Sequence, residues 1–415
     1  MMPRRGTRLQ KTHSTIVAAL TSLSILALFA AKPAVASAFV KTEHTRFVVD
    51  GKPFYVTGVN NHYLPWGSDA EVTRVLDDAV AMGANVVRTF IDGVIGSPDG
   101  TTAPTIWKFH NDDANSYSLN IHGHYFLYWD SSAHSMAINA SSMQKIDFLI
   151  AEAAKRHLKL ILTFLDFWSV TGGSYQMSKW YDLPTHEGAP FDTTNPAFFT
   201  DSRVLADYQR WVKFIVERVN PLTKIAYRDD PTIFAWELMN EAQAPKALHR
   251  QWEIQMAAYV KSLDRNHLVG AGDDYPIFDA PGIDFITWHG YPKYLGITPS
   301  QFDDEITNKC RMAARYQKPV LLEEFGYARS NSNPDQAQAY KMWLGTMAGD
   351  PDCAGWLVWR LVSPQDDGQY PKDWDDQLFD VHHDDGETWQ VLSNAAHLGR
   401  EDVGDVGTEQ VKSGR

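Results

Sequence analysis

Cysteine is scarce in this chain: two among 415 residues, Cys310 and Cys353. No Cys-x-x-Cys occurs and the spacing fits no zinc pattern, which excludes zinc-ribbon and thioredoxin-type chemistry. Basic residues are also short, 38 Lys and Arg against 51 Asp and Glu, for a formal charge of −13. A surface of that sign, without a basic run, repels phosphate backbones and anionic membranes, so nucleic acid is not expected as a partner. A Gly-rich phosphate turn is missing too. The first apolar run leads into Gly58-Val-Asn-Asn-His62, which argues against a doubly wound nucleotide-binding sheet. Internal repeats, low-complexity tracts and linkers are absent, so nothing marks a second domain.

One long uncharged apolar run is present, Ile16 to Ala31, behind Arg4, Arg5, Arg8 and Lys11. It falls short of the ~20 apolar residues a membrane span needs, and Lys32-Pro33 interrupts it. Ala36-Ser37-Ala38 then offers a small-x-small cleavage pattern. Residues 1–38 are therefore expected to be a signal peptide, leaving a secreted or periplasmic chain from near Phe39 with no membrane span. Its loss removes five cations and no anion, moving the formal charge from −13 to −18. In an exported chain a Cys310–Cys353 disulfide is plausible from their expected places, one on the helix before a strand and one just before the next. The sequence leaves open the Cα separation that a bridge requires.

The 377 residues that follow are many for one ordinary domain but normal for an α/β barrel. Apolar, β-rich runs occur at Phe54–Asn60, Asn85–Phe90, Leu158–Phe167, Ile233–Glu241, His267–Asp274, Ile283–Tyr291, Pro319–Tyr327 and Ala354–Leu361. Between them, segments such as Ile146–Lys155 and Tyr208–Arg218 repeat apolar residues at helical spacing. Eight such alternations predict a (β/α)8 TIM barrel over 39–398, whose parallel strands are buried on both faces and so read as continuous apolar runs. Residues 92–145 are too long for a connection and rich in aromatics, including Trp107, Tyr125, Tyr128 and Trp129. They are expected to form a functional loop over the second strand's exit. Residues 399–415 read as a polar tail.

In such barrels chemistry sits at the C-terminal strand ends. There the sequence places Asn60, Asn61 and His62, Arg88, Asp166 and Trp168, Asn240 and Glu241, Asp273 and Asp274, His289 and Tyr291, Glu324, and Trp359. Two of the runs, Trp236–Glu241 and Val320–Gly326, end in carboxylates, which are costly to place at an apolar strand end unless something uses them. A pair of that kind can split a glycosidic bond with one acid/base and one nucleophile. The chain carries 14 Trp, 17 Tyr and 20 Phe, enough to line a cleft with rings suited to the C–H faces of sugars. Strict strand alternation turns Glu323 away from the cleft that Glu324 faces. Glu237 shares the facing of Glu241 but lies about 13 Å lower, as a buried structural carboxylate. His382 and His383 beside Asp384 and Asp385 read as a solvated loop rather than a metal site.

These motifs resemble glycoside hydrolase family 5, and within it the endo-β-1,4-mannanases, over most of residues 50–395. Asp230–Glu241 is similar to the family's fourth-strand signature and Glu323-Glu324-Phe-Gly326 to its seventh. Gly172–Trp180 and Phe199–Arg203 are similar to the mannanase branch. The resemblance implies Glu241 as acid/base and Glu324 as nucleophile, with Arg88 and Tyr291 holding Glu324 ionised. It further implies Asn240 on the sugar 2-hydroxyl, His289 shaping the site, Trp359 as a sugar platform, and Trp168, Gln176 and Trp180 supporting a neighbouring subsite. A monomer acting on β-mannan without cofactor or metal is expected. A β-1,4-glucanase, an exo-β-mannosidase whose long loop blocks one end of the cleft, or a non-catalytic glycan-binding barrel are the alternatives. Two departures bear on the subsites. Ala242-Gln243 stands where many mannanases have Pro-Arg, and Gly272-Asp-Asp-Tyr-Pro276 replaces their paired glutamates followed by Gly-Phe.

Overall fold

The computed structural model describes residues 39–102, 125–184, 196–371 and 378–401; the signal-peptide expectation therefore lies outside the described residues. A small antiparallel sheet comes first, with strands β1 (Lys41–Glu43), β2 (Arg46–Val49) and β3 (Lys52–Phe54). Eight parallel strands then form the barrel. They are β4 (Val56–Asn60), β5 (Val86–Phe90), β8 (Lys159–Thr163), β9 (Ile233–Glu237), β10 (Leu268–Gly270), β11 (Ile286–Gly290), β12 (Val320–Phe325) and β13 (Cys353–Val358). β13 pairs with β4, so the sheet runs round in chain order with one seam between β10 and β11. That seam is bridged by Asp284 N–H on Val269 O at 2.8 Å and by Asp273 N–H on Thr287 Oγ1 at 2.9 Å. Each of the eight expected runs contains one barrel strand, and every residue of those strands is buried, as the near-continuous apolar runs require.

Helices cover the outside. Asp69–Met82, Pro299–Tyr316 and Gln336–Gly349 each begin with a reciprocal capping box, made by Ser68 with Glu71, Thr298 with Gln301, and Asp335 with Gln338. The first buries Val72, Val75, Leu76 and Ala79, one stripe at helical spacing against the barrel. Cys310, on helix Pro299–Tyr316, is disulfide-bonded to Cys353 at the start of β13, with their Cα atoms 4.9 Å apart. Among the described residues no helix is long and apolar enough to cross a membrane.

The barrel's N-terminal end is closed by apolar side chains. Phe47 of the small sheet packs edge-on against Phe234 and Phe285 at 5.0 and 5.5 Å, joined by Val56, Val86, Ile161, Leu268, Leu321, Ala354 and Leu357. An apolar cleft of about 870 Å³ opens beside it, between β3 and the helices Gln336–Gly349 and Glu387–Glu401, away from every expected site residue.

The described part of the stretch 92–145 carries regular structure of its own. Strands β6 (Leu127–Asp130) and β7 (Ser135–Ile138) make a hairpin, its turn held by Asp130 Oδ1 accepting from the Ser132 and Ala133 amides. Residues 103–124 lie outside the described residues, and the last helix runs Glu387–Glu401 before 402–415 pass outside them too.

Candidate active site

Arg88, fully buried near the end of β5, organises the mouth of the barrel. Its Nε donates to Glu237 Oε2 at 2.7 Å and one terminal nitrogen to Glu324 Oε1 at 2.6 Å. That same nitrogen reaches Asn60 Oδ1 at 3.1 Å, and the other donates to Asn240 Oδ1 at 2.9 Å. Four of its five N–H groups thus have a fixed partner, which offsets much of the cost of burying the charge. Burial lowers the proton affinity of Arg88, but Glu237, Glu323 and Glu324 together raise it above the ordinary value, so the group stays charged. Glu237 also accepts from Thr163 Oγ1 at 2.7 Å. It is the buried structural carboxylate expected; burial pushes its pKa up, yet Arg88 and its hydrogen bonds leave it lowered overall.

Glu324 is only 4 % exposed and accepts from Tyr291 Oη at 2.6 Å as well as from Arg88. Burial raises its pKa while His289, Arg88 and Tyr291 oppose, with a net upward shift. The charge partners thus limit the penalty of burial without reversing it.

Glu323 departs from expectation. Strict alternation turns it away from Glu324, yet both reach the same cluster, Glu323 Oε2 lying 3.5 Å from Arg88 Nε and 3.2 Å from His289 Nε2. The cause is local: the register of β12 shifts against β13 between Leu322 and Phe325, and against β11 beside His289. A bulge re-aims side chains in this way. Burial and the neighbouring Glu237 push the Glu323 pKa well above its ordinary value, against the pull of Arg88.

Glu241 lies four residues beyond the end of β9 and is the more open of the two expected catalytic carboxylates, 19 % exposed against 4 % for Glu324. Its backbone is held in the left-handed region, φ +50°, an uncommon state for a non-glycine residue that clusters at functional sites. Its amide donates to Gly272 O at 2.7 Å. Gly272, at φ +85°, has no room for a side chain, because a Cβ would meet Met239 O at 2.4 Å. Trp168 aims the Glu241 carboxylate, its Nε1–H donating to Oε2 at 2.7 Å, and His289 Nδ1 lies 2.7 Å from Oε1. Burial lowers the His289 pKa against the pull of the surrounding carboxylates, and the ring lies between two of them, Nδ1 facing Glu241 and Nε2 facing Glu323.

The site residues read from the sequence are brought together, with one adjustment. Trp168, expected to support a neighbouring subsite, bonds the Glu241 carboxylate itself. Gln176 and Trp180 stand back from it, buried on or just after helix Gly173–Lys179, with Trp180 Nε1 donating to Ile95 O at 2.9 Å. Asn240 is fixed by Asp166 Oδ1, which accepts from its Nδ2 at 2.9 Å while Arg88 takes its Oδ1. Trp359 stacks on His62 at 5.4 Å and 10° and stays 9 % exposed in a ring cluster with Phe90 and Phe379. The two sequence departures meet each other, Gln243 Nε2 donating to Asp274 Oδ1 at 3.0 Å. Burial and the nearby Glu241 push Asp274 up to about 7. His382, by contrast, stacks on Tyr370 at 3.8 Å, and Arg329 holds Asp385 at 2.6 Å, away from this mouth.

One oxygen of Glu241 and one of Glu324 lie within 4.8 Å of each other, with a His289 nitrogen equally close. A carboxyl pair at that spacing, at the C-terminal mouth of an eight-stranded barrel, defines a glycoside hydrolase. Comparison with known proteins carries this further. A profile of GH family 5 beta-mannosidase-like proteins matches residues 124–348. The chain is 30% identical over 372 residues to mannan endo-1,4-beta-mannosidase 7 of Arabidopsis thaliana, covering 78% of each. To mannan endo-1,4-beta-mannosidase F of Aspergillus fumigatus it is 28% identical over 370 residues, covering 82% of this chain and 74% of the other. The structure of an endo-1,4-beta-mannanase from Rhizomucor miehei superposes with a TM-score of 0.72 at 26% identity, over 88% of this chain and all of that one. The chain belongs to glycoside hydrolase family 5, in its β-mannosidase-like group.

Proposed function

We propose that the protein is an exported, retaining endo-β-1,4-mannan hydrolase in which Glu241 is the acid/base and Glu324 the nucleophile. The carboxylate spacing carries the reading, since oxygens within 4.8 Å match the short carboxyl separation of retaining rather than inverting glycosidases and so favour a covalent glycosyl-enzyme. Arg88 and Tyr291 present Glu324 to the anomeric carbon, while Glu241, turned towards solvent, protonates the departing oxygen and then deprotonates the incoming water. His289 links Glu241 at 2.7 Å to Glu323 at 3.2 Å, with Glu324 3.6 Å away, and so fixes the two sides of the mouth against each other. Asn240, locked between Arg88 and Asp166, keeps one amide N–H for the sugar 2-hydroxyl, where hydrogen bonds strengthen in the transition state. Trp359 supplies the ring face beneath the sugar. Mannan as the glycan rests on the named activities of the relatives, and export on the leader-like residues 1–38 together with the disulfide, a bond of oxidising compartments.

The test is proton NMR of the first-formed anomer on a β-linked mannan oligosaccharide, with azide rescue in two variants. Retention is expected. Glu324→Ala should be nearly inactive on every substrate, whereas Glu241→Ala should keep a fast first step on activated aryl mannosides and yield a β-mannosyl azide. An initially α product, or unchanged kinetics in Glu324→Ala, overturns the roles. Product profiles on mannan, glucomannan, galactomannan and cellulose test the glycan and the mode of cutting.

A further inference from the structure

A second buried cluster of ionisable groups lies where helix Lys246–Leu263 passes the loop that leaves β10. His249 and Glu253 stand one turn apart on that helix, and Asp273 comes from the loop. They are 7 %, 0 % and 2 % exposed. His249 Nε2 is 3.2 Å from Glu253 Oε1 and 3.2 Å from Asp273 Oδ1. One ligand-type atom from each residue lies within 4.8 Å of the other two. Among the described residues, neither carboxyl accepts a hydrogen bond from any N–H or O–H group outside the cluster itself. Buried carboxylates without donors are costly, and a single imidazole cannot neutralise two of them. A further cation at the centre of the three groups would balance that charge.

We propose that His249, Glu253 and Asp273 form a structural site for a divalent transition-metal cation of the Zn²⁺ class, tying the helix to the loop that carries Asp274 beside the active site. The geometry suits that ion. Nitrogen and oxygen ligands about 2.0 Å from a tetrahedral zinc lie about 3.3 Å apart, close to the two separations here. One imidazole and two carboxylates are a borderline donor set. Calcium asks for six to eight oxygens, more than three side chains in a closed pocket supply. Since the three side chains bind metal only in their deprotonated forms, binding releases to solvent the protons they hold. The Asp-Asp of Gly272-Asp-Asp-Tyr-Pro276, the fifth-strand departure from the mannanase pattern, thereby acquires two duties: Asp273 faces the cluster and Asp274 faces Gln243.

The full-length mature protein, stripped with chelator and dialysed, is titrated with Zn²⁺, Mn²⁺ and Ca²⁺ by calorimetry in two buffers of different ionisation heat. One equivalent of Zn²⁺ is expected, with release of about one proton or more per ion at pH 7. The Tm should rise by about 3 °C at a hundredfold excess over Kd. Glu253→Gln, nearly isosteric and unable to bind as an anion, should lose at least tenfold in Zn²⁺ affinity while its metal-free Tm stays at or above the wild-type value. His249→Leu should lose the same affinity. Zn²⁺ binding that persists unchanged in Glu253→Gln would overturn the proposal, as would wild-type binding without proton release or no binding at all. Since proton release is read on the wild type, the outcome does not depend on a variant folding.

Discussion

The two ends of this barrel are built from opposite materials. At the N-terminal end Phe47, Phe234, Phe285, Leu321 and Leu357 meet in an apolar layer. At the C-terminal end Arg88, Glu237, Glu323, Glu324 and His289 share a volume almost as closed to water. Apolar burial stabilises without orientation, so the first end can be repacked by any side chains of the right volume. The second is stable only while its donors and acceptors stay matched one to one. Changes at the plug are therefore expected to alter stability alone, and changes at the mouth to alter stability and catalysis together.

Removing the cation from the mouth should have the largest effect. Arg88→Met leaves Glu237 and Glu324 without their main counter-charge, costing about 3–5 kcal/mol as for other broken buried pairs. It also frees Asn240 and Glu324, so kcat/KM should fall at least about a hundredfold, the loss typical of one preorganised donor. Urea unfolding and steady-state kinetics read the two effects. Unchanged stability would mean that the carboxylates simply take up protons, and that the two ends differ less than their composition suggests.

At the plug, Phe47→Ala should cost a similar ~3–5 kcal/mol, the range for truncating a fully buried aromatic. Here kcat/KM measured well below the lowered Tm should stay within about twofold of wild type, since Phe47 touches no residue of the mouth. A parallel loss of activity would show that the plug tunes the site through the strands.

The contrast between the ends also explains what could be read in advance. Strands buried on both faces leave an unmistakable apolar run, so all eight were legible, as were Arg88, Asn240, Glu241, His289 and Tyr291 at their ends. Glu323 was misjudged because a bulge is a matter of register between strands, which one strand's sequence does not carry. The role of Trp168 depends on a 73-residue separation in sequence that ends in a 2.7 Å hydrogen bond. The hairpin Leu127–Ile138 was hidden in a long polar stretch whose aromatics suggested a loop. His249 and Glu253 stood at ligand spacing all along, but Asp273, the third member, comes from another element.

The smallest effect expected at the mouth concerns Asp274, a carboxylate beside Glu241 that is pushed up towards neutrality. Its pKa is raised from the ordinary 3.8 to about 7, first by burial and then by Glu241. A carboxyl whose folded pKa lies above its unfolded one binds more protons in the folded state. Its contribution to stability is thus most favourable below pH 4 and is lost as the pH climbs towards 7. Asp274→Asn has no such loss, so its stability relative to wild type should improve across that window and level off above it. Catalysis should move the other way. When Asp274 ionises, its charge helps Glu241 keep the proton it must deliver, so the wild-type basic limb of kcat/KM extends to higher pH. In Asp274→Asn that limb should fall at lower pH, with a severalfold loss at pH 8 and little change at pH 5. Thermal unfolding and kcat/KM measured from pH 4 to 8 test both signs at once. Parallel profiles for the two proteins would show that Asp274 is too well screened by water to act, and that the matched interior of the mouth ends one residue short of it.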